Sequence, residues 1–364
     1  MLLHAAASEV QPSGGKGPEI GTSRRWIAVT DQRSGIAGAK LFQLDDRHRE
    51  MLVPLTDPEW RSSSAADYME PGDPVLGLSV HGKNWAVPLW MLGGPHVANL
   101  AFDGEPVLVM FCGLCRSGIA RSAVVNGRRL SFHAVGVYNG SFLLADYETN
   151  SYWTPFTGEA LEGALKGAKL KQLPLIQCRW DRWLQMHPQT LVAYGRQGQV
   201  RRYGQAQALA SGRVSQGFLA SVLEPLDNRL PVNDLVLGVT LSDTARAYPL
   251  SSMDTGKDSD GDNIAVNDTL GGEPVVILHA RGGTLTTAFS RRLHDKILQF
   301  ATDKDGRFTD LTYHSHWNYD GEAVDGTVAG QKLSDIPSQI EDWYIWAAFH
   351  PTTSIYQGSP LAHD

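Results

Sequence analysis

The sequence predicts a mainly β protein, a β-rich α+β fold in which two pseudo-symmetric copies of one unit pack together. Three observations favour this fold class. The apolar runs are short, rich in β-branched and aromatic residues and bounded by Gly, Pro or Asn, as in Val75–Val80. The chain contains 37 Gly and 10 Trp, which indicates short strands separated by many turns. Finally, several sequence blocks recur in the same order further along the chain.

The repeat is clearest in two pairs of blocks. VLGLSVHGKNWAVPL at 75–89 returns as VLGVTLSDTARAYPL at 236–250, which is 161 positions later. RWDRWLQMHPQT at 179–190 returns as DWYIWAAFHPTT at 342–353, which is 163 positions later. Each copy ends in a Trp-x-x-Trp segment followed by His-Pro, and this spacing predicts a short helix that buries both indoles on one face.

The repeat divides the chain into three segments. Residues 1–55 form an N-terminal tail with short strands, residues 56–205 form a first unit, and residues 206–364 form a second unit. Only the first unit contains the Cys-x-x-Cys motif described below. We therefore expect one unit to carry the chemistry and the other to support it.

Composition and charge exclude several classes of function. The net charge is −7 and no basic run occurs, so neither nucleic acid nor an anionic membrane surface is an expected partner. No apolar run is long enough for a membrane-spanning helix. The first residues, Met1–Ala5, are too short and too weakly apolar for a signal peptide, which predicts a cytoplasmic protein, the alternative being one from which a leader has been removed. The expected partner is a small-molecule substrate, and the sequence does not indicate an oligomeric state.

Two of the three cysteines lie together at the end of a predicted buried strand. Cys112 and Cys115 follow the apolar run Val107–Phe111 within EPVLVMFCGLCRSGIARS. Two thiolates at this spacing can bind one soft metal ion, or they can close a redox disulfide. A third reading is two inert buried cysteines, and the sequence leaves all three open.

A metal site would need further ligands, and two histidines of the first unit are candidates. His96 lies in a loop sixteen positions before Cys112, and His133 begins a predicted hairpin strand. At the repeat spacing of 168, these four positions correspond to residues without a soft donor, namely Ile264, Ala280, Gly283 and Ala301. The predicted metal ligands are therefore His96, Cys112 and Cys115, completed by His133.

This ligand set predicts a metal-dependent enzyme that acts on a small molecule. Thiolate and imidazole ligands suit copper or zinc, and softness alone does not separate the two. With copper the expected activity is that of a copper-dependent oxidoreductase, and with zinc that of a hydrolase or lyase. The alternatives are a thiol–disulfide redox protein and a protein that carries copper to a partner. The predicted catalytic residues are nearby polar side chains of the first unit, namely Arg116, Tyr138, Asn139 and Asp146.

Residues from about 56 to 356 resemble a family catalogued as domain of unknown function 3179. The likeness rests on VLGLSVHGKNWAVPL, the loop His96–Asn99, GEPVLVMFCGLCRSGIA and VYNGSFLLADYETNSYWTPFTGEALEG. It continues to the Trp-x-x-Trp segment that precedes His-Pro-x-Thr. In that family the loop typically reads His-Glu-x-x-Asn-Asp, whereas the Glu and the final Asp are missing here. The resemblance implies an architecture and a site but no reaction.

Overall fold

A computed structural model describes residues 26–28, 39–44, 52–195, 214, 216–254 and 263–358. Strands account for 47% of the residues and helices for 10%, so the prediction of a mainly β fold is confirmed. The predicted boundary between the two units, at residues 205–206, lies outside the described residues. Within the part of the chain that the structure describes, no helix is long and apolar enough to cross a membrane.

The strands before residue 195 are β1 (Trp26–Ala28), β2 (Lys40–Gln43), β3 (Leu55–Thr56), β4 (Glu59–Ser62), β5 (Pro74–Val80), β6 (Lys83–Pro88), β7 (Val97–Phe102), β8 (Glu105–Cys112), β9 (Ser117–Ser122), β10 (Val124–Val125), β11 (Arg128–Arg129), β12 (Phe132–Tyr138), β13 (Ser141–Asp146), β14 (Tyr152–Trp153), β15 (Ala160–Glu162), β16 (Ile176–Arg179) and β17 (Leu191–Tyr194). The later strands are β18 (Leu235–Leu241), β19 (Thr244–Pro249), β20 (Asn263–Leu270), β21 (Glu273–Ala280), β22 (Thr286–Ser290), β23 (Arg292–Leu293), β24 (Lys296–Ile297), β25 (Phe300–Thr302), β26 (Phe308–Asp310), β27 (His316–Trp317), β28 (Ser338–Asp342) and β29 (Ser354–Ile355). The helices are a 3₁₀ turn at Ser63–Ala65 and the α-helices α1 (Leu89–Leu92), α2 (Trp180–Met186), α3 (Gln216–Leu219), α4 (Leu250–Met253) and α5 (Trp343–Phe349).

Two sheet patterns occur in both halves of the chain. One sheet has the order β16-β5-β6-β17-β4, and another has the order β28-β18-β19-β29. In both, a hairpin is flanked by an antiparallel strand and by a parallel strand that follows the Trp-x-x-Trp helix. An antiparallel meander also occurs twice, as β7-β8-β9 next to β3 and as β20-β21-β22.

The predicted Trp-x-x-Trp helices are α2 and α5. In α2 the indole of Trp183 packs so closely over Gly77 that a Cβ there would lie 2.2 Å from the ring, and Trp346 of α5 covers Gly238 in the same way. Each indole N–H donates to a buried threonine, Trp183 to Thr190 and Trp346 to Thr353, both at 2.9 Å. The glycine is required by this close approach of a ring to a strand backbone.

The remaining strands place the Cys-x-x-Cys segment in the interior. A six-stranded sheet, β1-β2-β12-β13-β14-β15, packs beside the β3-β7-β8-β9 sheet. The core between them includes Cys112 and Cys115, and it is completed by Tyr344, Ile345 and Phe349 of α5. Side chains from the second unit therefore help to bury the motif of the first.

Candidate functional site

The Cys-x-x-Cys motif forms the tight turn between β8 and β9. Cys112 ends β8 and is paired across the sheet with Ser117, the first residue of β9. Cys112 and Cys115 form a disulfide, and their Cα atoms lie 5.2 Å apart. Of the three readings of the cysteine pair, the structure therefore contains the disulfide.

The two sulfur atoms have different polar neighbours. The backbone N–H of Cys115 donates to Cys112 Sγ at 3.2 Å, whereas Cys115 Sγ lies 3.8 Å from the carbonyl oxygen of Gly140. An N–H donor stabilises a thiolate, and a carbonyl acceptor stabilises a protonated thiol that donates to it. Once the bond is reduced, Cys112 is thus the side chain that is better able to hold a negative charge.

The turn is held by residues far away in the sequence. The backbone N–H of Asp342 donates to the carbonyl of Cys115 at 3.0 Å, and the hydroxyl of Tyr344 donates to that of Leu114 at 3.2 Å. Arg116, which has a left-handed backbone with φ of 50°, forms an ion pair with the Asp342 carboxylate and donates to the carbonyl of Asn233 at 2.5 Å. Every one of these contacts joins the motif to the second unit.

The carboxyl group of Asp342 is affected by its burial beneath the turn. Its side chain is fully buried, and this burial raises its pKa to about 6, although the hydrogen bond and charge of Arg116 oppose the shift. Arg116, predicted as a catalytic residue, contacts Asp342 through its guanidinium group. Through this contact, Arg116 connects the Cys-x-x-Cys turn to the second unit.

Two further residues predicted to be catalytic, Asn139 and Tyr138, contact α5 of the second unit. Asn139 is fully buried, and its side chain accepts from the N–H of Leu223 at 2.9 Å and donates to the carbonyl of Ala348 at 3.0 Å. Tyr138 is buried as well, with its ring 6.1 Å from that of Phe349 in a T-shaped arrangement. Both residues therefore contact the region around α5.

Asp146, the fourth residue predicted to be catalytic, ends β13 and accepts several hydrogen bonds from the turn that follows. Its buried carboxylate accepts the indole N–H of Trp153 at 2.8 Å, the hydroxyl of Thr149 and the N–H of Ser151. Asp310 accepts the indole N–H of Trp317 at 2.9 Å in a similar turn of the second unit. The contacts of Asp146 match those of a structural residue, because a second Asp-Trp pair occurs in the unit without cysteines.

The two histidines occupy different surroundings. His96 has a left-handed backbone with φ of 60°, and its Nδ1 lies 3.2 Å from the carbonyl oxygen of Phe111, the residue before Cys112. Because a carbonyl oxygen only accepts, Nδ1 carries the hydrogen and Nε2 carries the lone pair. Burial lowers the pKa of His96, which favours the neutral ring. His133 stacks on the exposed ring of Tyr147 at 4.2 Å.

The structure does not bring the predicted ligands together as one metal site. Among the described residues, no group of three or more His, Cys, Asp and Glu side chains is arranged to hold a metal ion. Both thiols are also used in the disulfide, which leaves no thiolate to act as a ligand in this state. Copper or zinc as a cofactor therefore stays a prediction for the reduced state of the cysteine pair.

Sequence reasoning missed the residues of the second unit that hold the turn, Asp342 and Tyr344. Ser117, a nearby polar candidate in the sequence, lies opposite Cys112, and its buried hydroxyl has no hydrogen-bond partner among the described residues. One signal was available in the sequence. Asp342 and Tyr344 flank the Trp343 of the second Trp-x-x-Trp, where the first unit has Arg179 and Asp181.

Comparison with known proteins gives one family. The model of the family described as "Protein of unknown function (DUF3179)" matches residues 52–353, a range that includes the Cys-x-x-Cys turn. The chain therefore belongs to this family, and the resemblance seen in the sequence is confirmed. No curated protein and no solved structure matches the chain.

Proposed function

We propose that the Cys112–Cys115 pair is a reversible thiol–disulfide centre that exchanges electrons with a small thiol compound. The observation that carries the proposal is the disulfide itself, within a turn where one sulfur has an N–H donor and the other a carbonyl acceptor. This asymmetry assigns different roles to the two cysteines. Cys112 is the sulfur that bonds to the substrate. Cys115 is the leaving thiol when the substrate is oxidised, and it is the resolving thiol in the reverse direction.

The reaction proceeds by two thiol–disulfide exchanges. A substrate thiolate attacks Cys112 Sγ, the Cys112–Cys115 bond breaks, and Cys115 leaves and takes up a proton beside the Gly140 carbonyl. A second substrate thiol then attacks the mixed disulfide and releases Cys112 as a thiolate, which the Cys115 N–H stabilises. Two substrate thiols have become one substrate disulfide, and the protein has gained two electrons and the corresponding protons.

Substrate size is limited by burial. Cys112 is 2% exposed and Cys115 is not exposed at all, whereas the intervening Leu114 is 44% exposed. A large protein substrate would not reach either sulfur without displacing the turn. A small thiol therefore agrees with the prediction of a small-molecule substrate. If the protein is cytoplasmic, as the sequence predicts, its disulfide would be one that forms and breaks, because permanent disulfides are rare in that compartment.

Trapping the mixed disulfide tests the proposed roles. We expect Cys115→Ser protein, incubated with oxidised glutathione or with cystamine, to gain one adduct on Cys112 that mass spectrometry locates. The matched Cys112→Ser variant should gain little adduct on Cys115. Cys178 is an internal control, because it is a free buried cysteine whose thiol pKa is raised by burial. Equal labelling of both variants, or none of either, would contradict the assignment.

A soft-metal site in the reduced protein is a second candidate, and the tautomer of His96 favours it. A metal-binding histidine commonly donates its other ring N–H to a carbonyl, as Nδ1 of His96 does to Phe111. After reduction, Cys112, Cys115 and His96 would be the available donors, with copper or zinc as the ion. Copper would supply oxidation chemistry, and zinc would supply Lewis-acid activation.

Elemental analysis of protein purified under reducing conditions without added metal tests this candidate. About one equivalent of copper or zinc, lost in both His96→Gln and Cys112→Ser, would support a metal-dependent enzyme or a copper carrier. Metal content that is unchanged by His96→Gln would contradict His96 as a ligand, and protein without copper or zinc would contradict this candidate. His133→Gln is the matched histidine control for the fourth predicted ligand.

We also infer that the two units arose by duplication of one unit, which would make them pseudo-symmetric. The repeated strand order, the Gly-Trp contacts and the Asp-Trp pairs support this inference. The soft donors of the first unit would then be an addition to one copy of a shared scaffold.

A further inference from the structure

A cleft of about 630 Å³ is lined by residues of both units, and its lining does not include Cys112 or Cys115. The first unit contributes a strand residue, Arg121, and the loop around Lys169 and Lys171. The second unit contributes residues of β18 and of α5 and the segment that follows it. This volume is in the range of pockets that hold small molecules. We call it the basic cleft, because three cationic side chains in its lining are accompanied by one carboxylate, Asp243.

The basic cleft contains a buried guanidinium group without a carboxylate partner. Arg121 is 2% exposed, and its N–H groups donate to the carbonyls of Pro155 at 2.6 Å, of Leu170 at 3.4 Å and of Phe156. Within the described part of the chain, no carboxylate forms an ion pair with it. An arginine has five N–H donors, so two remain. A buried charge is costly unless an opposite charge accompanies it.

The buried acidic group that interacts with Arg121, Glu341 of β28, does not supply that charge. Burial lowers the pKa of Arg121 to about 10 and Glu341 opposes this shift, but the two side chains form no ion pair. Burial raises the pKa of Glu341 well above its usual value and so disfavours its charged form. The residues that line the cleft include three cationic side chains and one carboxylate, so the lining carries an excess of positive charge. The pKa of His350, which also lines the cleft, is lowered to about 4 by burial and by the positive charge of Lys169.

A second cleft between the units provides a comparison within the molecule. It has a volume of about 490 Å³ and is lined by Phe289, Asp320, Lys332 and Asp335 among others. At the repeat spacing, Phe289 takes the place of Arg121, and Lys332 takes the place of Lys169. Two lysines are balanced by two aspartates in this lining, so we call it the neutral cleft.

The apolar part of the basic cleft is aromatic. Phe156 and Phe349, which both line it, stack with their ring centroids 5.3 Å apart and their planes 13° from parallel. Trp346 lines it too. Flat apolar groups pack favourably against such rings. A ligand that combines a flat apolar group with one negative charge would match both features of the lining.

We propose that the basic cleft binds a small aromatic carboxylate, whose charge compensates Arg121 and Lys169 and whose ring packs against the aromatic side chains. The carboxylate would accept from the N–H groups that Arg121 leaves free, or from the Nζ of Lys169. This inference does not depend on the redox state of the cysteine pair. It goes beyond the proposed thiol–disulfide function.

Calorimetry with benzoate, and with benzamide as its neutral analogue, tests the proposal on the full chain. We expect benzoate to bind at least tenfold more tightly than benzamide. Lys169→Gln should weaken benzoate binding about fivefold, because a partly screened charge contributes about 1 kcal/mol. The matched variant Lys332→Gln, in the neutral cleft, should leave the affinity for benzoate unchanged.

The variants concern exposed lysines, so a folding failure is not the expected explanation of a lost affinity. Arg121→Gln is the more direct change, but it also removes donors to several buried carbonyls. A crystal structure with benzoate gives an independent readout, with the carboxylate expected within hydrogen-bond distance of Arg121 or Lys169. Equal affinity for benzoate and benzamide, equal effects of Lys169→Gln and Lys332→Gln, or benzoate located elsewhere would overturn the proposal.

Discussion

The turn that follows β8 and the turn that follows β21 occupy corresponding places in the two units but are closed by different means. The first is closed by the Cys112–Cys115 disulfide. The second is closed by Asp254, whose carboxylate accepts from the N–H of Gly282 at 2.9 Å and whose backbone carbonyl accepts from Arg281 at 2.9 Å. The imidazole of His279, on β21, adds a contact to Asp254 at 3.1 Å.

The comparison shows that a turn at this place in the meander does not need sulfur to close it. One carboxylate and a buried imidazole do so in the second unit, and His279 is oriented further by a 2.8 Å contact to Thr286. If closure were the sole purpose of the disulfide, the same polar solution would serve the first unit. The difference therefore favours a chemical role for the cysteine pair.

The largest expected effect concerns the two similar Asp-Trp pairs, Asp146 with Trp153 and Asp310 with Trp317. We predict that Asp146→Ala and Asp310→Ala each lower the free energy of unfolding by about 3 kcal/mol, because each leaves a buried indole N–H and backbone N–H groups without an acceptor. Chemical denaturation measures both. If Asp146→Ala lowered the free energy of unfolding strongly and Asp310→Ala hardly changed it, the two Asp-Trp pairs would not be equivalent, and the comparison of the two units would fail.

The next effect concerns Asp342, the residue of the second unit that contacts the Cys-x-x-Cys turn. Burial raises the folded-state pKa of Asp342 to about 6, above the ordinary value of an aspartate, so the stability that this carboxyl contributes is present at low pH and is lost as the pH rises through about 6. We predict that the difference in unfolding free energy between wild type and Asp342→Asn changes by about 2 kcal/mol between pH 4 and pH 7. Urea titrations at several pH values measure it.

Since other carboxyl groups titrate in the same range, the difference between the two proteins is the informative quantity. Asp234→Asn is a second test of the same kind, because burial also raises the pKa of Asp234, so its difference from wild type should change with pH in the same direction. A constant difference between wild type and Asp342→Asn over this range would contradict the assigned environment of Asp342.

The smallest predicted effect compares the two closures directly. Reduction of the disulfide should lower the free energy of unfolding by about 2 kcal/mol, because a bond that closes so short a loop constrains the unfolded chain little. Asp254→Ala should lower it by about 1 to 2 kcal/mol through the lost hydrogen bonds. Chemical denaturation of wild type with and without a reductant measures the first change, and denaturation of Asp254→Ala beside wild type measures the second. If reduction alone unfolded the protein, the disulfide would have a structural role.

Local patterns in the sequence predicted most of the scaffold. The Trp-x-x-Trp segments form helices because their spacing places both indoles on one face, and Val75–Val80 lies within β5 as its apolar run predicts. The Cys-x-x-Cys motif lies at the end of a buried strand, as expected. These features depend on neighbouring residues, which sequence patterns describe well.

The environment of the site was less predictable, because it depends on contacts between distant residues. Arg116 and Asp342 are 226 positions apart, so no local pattern relates them. Asp146 has the chemistry of a catalytic carboxylate, but its hydrogen bonds to Trp153 and its neighbours appear only in three dimensions. The burial of Arg121 was likewise invisible, since an arginine in a sequence is more often exposed.

The reduction potential of the Cys112–Cys115 couple tests the central claim most directly. The folded protein would be equilibrated in glutathione or dithiothreitol buffers, and the thiols alkylated and counted by mass spectrometry, with Cys178 as the buried reference. A reversible two-electron transition between about −270 and −120 mV, the range of thiol–disulfide oxidoreductases, is the result we predict. A potential below about −300 mV, typical of structural disulfides, would contradict the account.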